Sequence, residues 1–178
     1  WTVIGSMEDL TLATLKDVHE FHQKWYRPNN ATLVVAGDFN VAETKEWINK
    51  YFGEIEAGDR RGDPEPQPAG LDKTKKAYWE DNFAKSPQLN MVIPTVQQYH
   101  PDSYALSFLG QLFAEGKKAP LYKVVVEEKK LAPQARGFQM SNEIAGEFRI
   151  MIQTFPGKDL DEAAAAISES FKRFETDS

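Results

Sequence analysis

A proline- and glycine-rich run at 56–70 is the feature that most limits how this chain can fold. It reads EAGDRRGDPEPQPAG, with prolines at alternate positions near its end, and it offers no apolar face to bury. Such a composition favours an extended, solvated connection over a helix or a central strand. We therefore expect a surface linker at 56–70 between an N-terminal portion, 1–55, and a C-terminal portion, 71–178.

The N-terminal portion carries two helix signals with a strand signal between them. Thr14 and Asp17 form an approximate capping box, and the apolar residues that follow occupy one arc of a helix. Asn40 opens a second helix, which Gly53 is placed to close. The apolar and β-branched run ATLVVA at 31–36 predicts a buried strand.

The C-terminal portion alternates pairs of strands with helices. Strands are predicted at 76–81, 89–95, 134–143 and 147–155, and helices are predicted to begin at Pro101, Pro120 and Asp159. Strands that arrive in pairs favour an antiparallel sheet. We predict an α+β fold, a two-layer sandwich in which a largely antiparallel sheet is covered by helices, with 71–178 packed against 1–55 as one domain.

Charge and composition argue against several classes of protein. The chain of 178 residues has 27 acidic and 21 basic residues and a net charge of −6, with no basic stripe, which argues against general nucleic-acid binding. It has no cysteine, so it can form neither a disulfide framework nor a thiolate zinc site. No apolar run approaches the length of a membrane span.

The candidate metal ligands are His19 and His22, which lie three residues apart on the first predicted helix with Glu20 between them. Zinc hydrolases set their helical histidines four residues apart, as in H-E-x-x-H, and no third ligand is evident here. His22 also falls within the apolar arc of the helix. The pattern favours a packed, hydrogen-bonded histidine pair over a metal site completed by a carboxylate.

Other polar groups give no catalytic pattern. His100 precedes Pro101 and is typical of a helix N-terminus, while Glu127 and Glu128 lie beside two lysines on a charged helix end. The sequence has no glycine-rich phosphate loop and no recognisable serine nucleophile. The residues alone therefore predict no catalytic centre.

Longer runs of sequence carry a family resemblance. IGSMEDL at 4–10, WYRPNNATLVVAGD at 25–38 and YFG at 51–53 resemble the M16 family of pitrilysin, insulinase and mitochondrial processing peptidase. LY at 121–122, EEK at 127–129 and FPG at 155–157 agree with it, so the resemblance covers nearly the whole chain. It implies the M16/LuxS-like metallohydrolase fold, and zinc peptidases whose repeated α+β domains close around an unfolded peptide.

The resemblance transfers no zinc ligand to this chain. In the family, H-x-x-E-H and a further glutamate ligand precede the I-G-x-x-E-x-L segment, and no H-x-x-E-H occurs here. Glu8 belongs to IGSMEDL and is not the metal-binding glutamate. Zinc is therefore expected in the parent protein and none in this chain. The expected catalytic and metal residues are none, and the substrate-binding residues are unknown.

A second departure concerns the arginine and tyrosine that distal domains of active relatives lend to the catalytic cleft, from a segment resembling L-R-x-x-x-Q-L-G-Y. Val126 stands at the arginine position and Pro133 at the tyrosine position. Neither side chain can donate a hydrogen bond to a developing oxyanion. The chain is therefore either the C-terminal part of a first, zinc-bearing repeat or a piece of a non-catalytic copy.

The resemblance implies a non-catalytic half-domain of a bacterial M16-like zinc peptidase that completes the peptide-enclosing chamber. In this interpretation 1–55 holds the end of the zinc-bearing half and a first strand–helix unit, and the chain, whose two ends look cut, is inactive alone. The implied partners are a zinc-bearing half-domain, a second M16 repeat or subunit, and the peptide substrate. The alternative is a fragment of an inactive homologue that acts in protein interaction or assembly. Relatives of this type are often periplasmic or exported, but these residues do not fix the compartment.

Overall fold

The computed structural model describes residues 4–59 and 62–176, and the chain divides into two compact units, Trp1–Asp63 and Pro64–Ser178. The division falls inside the proline- and glycine-rich run at 56–70. Among the described residues, no helix has the length and apolar character that a membrane crossing requires.

The first unit is helical. Its elements are α1 (Met7–Leu12), α2 (Leu15–Trp25), a 3₁₀ turn (Pro28–Asn30) and α3 (Val41–Phe52). The predicted capping box is confirmed, because Thr14 Oγ1 accepts from the Asp17 N–H at 3.2 Å and Asp17 Oδ2 accepts from the Thr14 N–H at 2.8 Å. Asn40 caps α3 through its side-chain oxygen, and Gly53 ends that helix with a right-handed backbone.

The strand predicted at 31–36 is wrong for this structure, in which these residues follow the 3₁₀ turn without entering a sheet. A strand needs a neighbour for its backbone N–H and C=O groups. Within 4–59 the structure describes no second strand that could supply one. The apolar, β-branched composition of 31–36 therefore does not produce a strand in this unit.

The second unit contains all strands of the described chain. Its elements are β1 (Gln88–Thr95), α4 (Pro101–Ala114), α5 (Pro120–Tyr122) running on as a π-helical stretch (Lys123–Glu128), β2 (Ala135–Ser141), β3 (Gly146–Gln153) and α6 (Leu160–Thr176). The predicted hairpin is confirmed as β2 and β3. At its turn the Asn142 N–H donates a hydrogen bond to the Ala145 carbonyl at 2.9 Å. The predicted starts of α4, α5 and α6 are also confirmed.

The three strands form one antiparallel sheet in the order β1-β3-β2, and helices cover one face of it. Phe148, Ile150 and Ile152 alternate along β3 and are buried under the helices, whereas Arg149 and Met151 point to the opposite, open face. The predicted α+β class is therefore confirmed. The buried hydrophobic core lies between residues 113 and 167 and is drawn from α4, α5, the π-helical stretch, the loop at 131–132, β2, β3 and α6.

The strand predicted at 76–81 is also wrong for this structure, because these residues precede β1 without pairing. A turn follows them, in which the Asp81 side chain accepts from the Phe83 N–H at 2.8 Å. Tyr78 and Trp79 are 82% and 88% exposed, so alternation alone did not bring this segment into the sheet. The strand predicted at 89–95 is confirmed as β1.

Candidate functional site

The described residues do not fit a zinc centre. Nowhere in 4–59 or 62–176 do three histidine, aspartate or glutamate side chains gather closely enough to hold a metal ion. Both imidazoles of α2 are exposed, and the His22 ring stacks on Tyr26 with centroids 4.8 Å apart. The structure thus does not show the packed histidine pair that the sequence favoured, because the apolar arc of α2 is itself exposed.

His100 has the helix-capping role that the sequence predicted. Its Nδ1 atom accepts a hydrogen bond from the Asp102 N–H at 3.2 Å, at the N-terminus of α4. Glu8 lies exposed in α1. Neither residue belongs to a cluster of metal-binding or catalytic side chains in the described chain.

Glu128 joins the end of the π-helical stretch to α6. Both oxygens of its carboxylate accept from the Arg173 guanidinium, at 2.6 and 2.9 Å, and Lys129 lies 3.0 Å from Glu169 beside this pair. The hydrogen bonds from Arg173 hold the pKa of Glu128 below its ordinary value. This bidentate geometry is typical of a structural ion pair that fixes two helices.

The Glu128–Arg173 pair predicts an acid-dependent loss of stability. The pKa of the Glu128 carboxyl is lower in the folded protein than its unfolded value of 4.5. The ion pair therefore stabilises the folded protein fully above pH 4.5, and this stabilisation is lost as the pH falls through the folded-state pKa. Urea unfolding should show Glu128→Gln to be less stable than the parent at pH 7, with the difference shrinking below pH 4.5. Glu127→Gln removes the same charge from the adjacent exposed side chain and is the matched control. A difference that does not depend on pH would contradict the assignment.

Of the two positions at which the resemblance places catalytic groups, one lies in the π-helical stretch and the other in the loop before β2. Val126 packs partly buried against the core, and Pro133 is exposed. Between them Lys130 adopts a left-handed backbone with φ of 50°, directly after the C-cap of the π-helical stretch. An aliphatic side chain and a proline ring give this loop no donor at those positions.

The second unit contains a groove beside a free edge of its sheet. α4 and β2 line this open groove of about 380 Å³, whose lining includes Ser107, Gln111, Glu115, Arg136 and Phe138. β2 is the outer strand of the sheet, since it pairs with β3 on one side only. An outer strand next to a groove can accept an extended chain as a further strand.

The backbone groups of β2 that face this groove follow from the hairpin. The hydrogen bond between Asn142 and Ala145 makes them a bonded pair of the antiparallel ladder. The backbone N–H and C=O groups of even-numbered residues of β2 therefore bond to β3, and those of odd-numbered residues point away from β3, toward the free edge. Gly137 and Gln139 therefore present their N–H and C=O groups at the free edge. A peptide strand laid in the groove would meet these groups first.

Two glycines set the width of the groove. A Cβ atom on Gly137 would lie 2.9 Å from the Ala114 Cβ, and one on Gly110 would lie 3.3 Å from the Phe138 Cα. α4 can therefore approach β2 closely only because both positions lack a side chain. Sequence reasoning did not find this groove, because isolated glycines on a helix and a strand reveal their proximity only after folding.

The open face of the sheet, opposite the helices, extends across all three strands. Arg149 occupies its middle, forms an ion pair with Glu147, and has Val92 and Phe138 as its partners on the two neighbouring strands. Its charge is thus balanced within the same strand. The methionines Met140 and Met151 add adaptable apolar surface on this face.

The first unit presents a separate apolar groove of about 840 Å³. Its lining includes Phe21, Trp25, Leu33, Ile48 and Phe52. No described residue of its helices is buried, so their apolar stripes have no cover within the unit. A surface of this size and composition on one unit is typical of a contact with a further element.

Comparison with known proteins places these features in a family. Residues 13–177 match the family model described as the peptidase M16 inactive domain. The zinc protease PqqE of Helicobacter pylori is 33% identical over 145 residues, which cover 79% of this chain and 32% of that protein. The chain thus spans about a third of the length of this curated relative.

Two solved structures share the fold. A protease from Helicobacter pylori aligns with a TM-score of 0.75 and 27% identity over 97% of this chain and 42% of its own. A peptidase M16 inactive domain from Pseudomonas fluorescens, 16% identical, aligns with the same TM-score over 97% of this chain and 41% of its own, which shows the fold. The chain belongs to the peptidase M16 family as a non-catalytic half-domain of its inactive-domain type.

Proposed function

We propose that this half-domain holds an extended stretch of peptide in the groove between α4 and β2, while a zinc-bearing half of an M16-type peptidase supplies the chemistry. The free edge of β2 beside a groove is the observation that carries the proposal. The outward N–H and C=O groups of Gly137 and Gln139 bind any sequence, because main-chain hydrogen bonds do not depend on side chains. The charge-balanced open face suits an unfolded peptide of mixed composition.

The first unit completes the zinc-bearing half of the parent protein. Its apolar groove and its unpaired run at 31–36 both lack a covering element in this unit. A β-branched run joins a sheet when a neighbouring strand offers its backbone groups. The parent's zinc-bearing half is the partner that supplies this strand and the cover for α2 and α3. In this arrangement 1–55 belongs with the zinc-bearing half, and 71–178 forms the following α+β portion.

A second M16 repeat or subunit closes the chamber around the peptide. The open face of the described sheet forms one wall, with Arg149 and Phe138 directed into the enclosed space. The parent is a bacterial peptidase on this proposal, in agreement with its relative in Helicobacter pylori.

Peptide binding tests the proposal directly. The probe is a fluorescein-labelled peptide of alternating threonine and valine, and its anisotropy is followed as the chain is added. Ser107→Trp fills the groove from α4 and should weaken binding at least about tenfold, because the indole occupies the place of the added strand. Ser168→Trp is the matched control, since each serine is exposed on a helix and bonds the carbonyl four residues earlier. Equal binding by both variants would contradict the proposal.

Backbone methylation of the probe tests strand addition separately. Alternate residues of an added strand direct their N–H groups to β2, and the others direct them to solvent. Methylating one set should weaken binding at least about tenfold, and methylating the other should leave it unchanged. Equal losses for the two sets would show that the peptide binds without joining the sheet.

Zinc content separates this proposal from a metal site of the chain's own. After dialysis against zinc, the purified chain should hold well below one zinc per molecule and should cleave no peptide. His22→Ala should leave the zinc content unchanged, because no third ligand approaches His19 and His22 in the described chain. One zinc per chain, lost on His22→Ala, would overturn this assignment.

A second candidate function is interaction or assembly within an inactive M16 homologue. The observation that favours it is the absence of a donor at Val126 and Pro133, where active distal domains supply an arginine and a tyrosine. The parent's other half decides between the two. An intact H-x-x-E-H there, with activity lost on its mutation, supports the peptidase, and its absence supports the assembly role.

A further inference from the structure

We infer that the groove between α4 and β2 favours a peptide strand in which an acidic residue directly neighbours a basic one. The inference rests on the proposed function, because it concerns the strand that joins β2 there. Two residues of opposite charge, Glu115 and Arg136, both line the groove. Neither forms an ion pair in the part of the chain that the structure describes.

Arg136 directs its side chain to the open face of the sheet. It pairs with Met151, which points to that face, and side chains alternate between the faces along β2. The other two charged residues of this face on the three strands, Glu147 and Arg149, neutralise one another. Arg136 donates only a long hydrogen bond of 3.5 Å from Nη2 to the Gln134 side chain. Its guanidinium is therefore available to a carboxylate of a bound peptide.

Glu115 lies on the other side of the groove, at the C-terminal end of α4. It is the C-cap of this helix of 14 residues, whose last turn contains no basic residue. The C-terminus of a helix carries a partial negative charge, so a carboxylate there is unfavourable without a nearby cation. Lys117 and Lys118 follow in the next turn, but neither forms an ion pair with Glu115. The position therefore favours a positively charged group of a bound peptide.

An added strand can meet both charges with consecutive residues. The residue opposite Arg136 directs its side chain to the open face, and its neighbours, opposite Ala135 and Gly137, direct theirs to the covered face. Gly137 lies close to Glu115, since a Cβ atom on Gly137 would lie 2.9 Å from the Cβ of the preceding residue, Ala114. An acidic residue next to Arg136 and a basic residue next to Glu115 are therefore adjacent in the peptide, whichever direction the strand runs.

The two charges add selectivity to binding that the main chain provides. Glu115 and Arg136 are both exposed, and an ion pair with an exposed side chain is individually weak. The hydrogen bonds to the backbone of Gly137 and Gln139 do not depend on the peptide sequence. Peptides without charge should therefore bind, and those with a correctly placed acidic and basic pair should bind more tightly.

Two fluorescein-labelled peptides of identical composition test this selectivity by anisotropy. Both are the threonine–valine probe with one lysine and one glutamate introduced. In the adjacent-charge peptide the two are neighbours, whereas in the spaced-charge peptide one residue separates them, which places both side chains on the same face. The net charge of −6 on the chain acts equally on both peptides. At low ionic strength we expect the adjacent-charge peptide to bind at least about fivefold more tightly.

Variants of the two groove residues show whether they cause this preference. Glu115→Gln and Arg136→Gln should each reduce it to about twofold or less. The matched controls Glu127→Gln and Lys172→Gln remove charges from exposed side chains that do not line the groove, and they should leave the preference unchanged. Arg136→Glu should abolish it, and adding Glu115→Lys should restore it, because the adjacent-charge peptide can then shift by one residue and meet each charge with its opposite.

The three probes separate failure of this inference from failure of the proposed function. Equal binding of the two charged peptides to the parent chain, or a preference that persists in both Glu115→Gln and Arg136→Gln, would overturn the inference. Binding of the uncharged threonine–valine probe would in that case show that the peptide still joins the groove. Absence of binding by all three peptides would contradict the proposed function and the inference together.

Discussion

Phe113→Ala is expected to lower the free energy of unfolding by about 3–5 kcal/mol, the usual cost of removing a fully buried aromatic ring. The Phe113 side chain is 0% exposed, stacks on Phe171 with ring centroids 4.3 Å apart, and meets the edge of Phe174 at 6.1 Å. These ring contacts pack α4 against α6. Truncation therefore removes apolar burial and two ring contacts together.

Chemical denaturation followed by circular dichroism measures this loss. Phe108→Ala is the matched control, because it removes the same ring from the same helix at a position that is 61% exposed. Its cost should stay within about 0.5 kcal/mol. Similar losses for the two variants would mean that the face of α4 directed at the sheet has been assigned incorrectly.

The elements that could be predicted from the sequence are those whose signals are local. The capping box at Thr14, the proline starts of α4 and α5, and the alternation along β2 and β3 each depend on residues a few positions apart. Local hydrogen bonds and side-chain periodicity determine such elements before tertiary contacts form. The α+β class followed from their order along the chain.

The two wrong strands share one physical cause. Both 31–36 and 76–81 have strand composition, but a strand forms only when another strand accepts its backbone groups. In 4–59 the structure describes no such neighbour, and at 76–81 the neighbouring edge of β1 remains unpaired. The composition of a segment indicates its tendency to form a strand, but it does not indicate where the partner strand lies.

The groove between α4 and β2 could not be predicted for a related reason. It depends on Gly110 of α4 approaching Phe138 of β2, and on Gly137 approaching Ala114. Each glycine by itself is compatible with a turn, a bulge or a close approach. Only the folded arrangement shows that the two close approaches coincide at a free edge.

Gly146→Ala is the second change for which we expect a large effect, a loss of about 2–3 kcal/mol from steric overlap in a packed sheet. Gly146 begins β3 and pairs with Thr95 on one side and Ser141 on the other. A Cβ atom there would overlap the Val96 carbonyl oxygen and lie 2.9 Å from the Thr95 hydroxyl and 3.0 Å from the Gln139 amide. Since backbone cannot move aside as a side-chain tip can, the end of β1 must shift.

Urea unfolding and amide exchange together separate this cause from a general glycine effect. Gly70→Ala is the control, because a Cβ atom there would meet nothing within 4 Å and its change in stability should stay within about 1 kcal/mol. The amides around Thr95 and Ser141 should exchange faster in Gly146→Ala, since both pairings converge on this residue. Unchanged exchange at both, or a stability equal to that of Gly70→Ala, would show that the three strands do not meet at Gly146 as described.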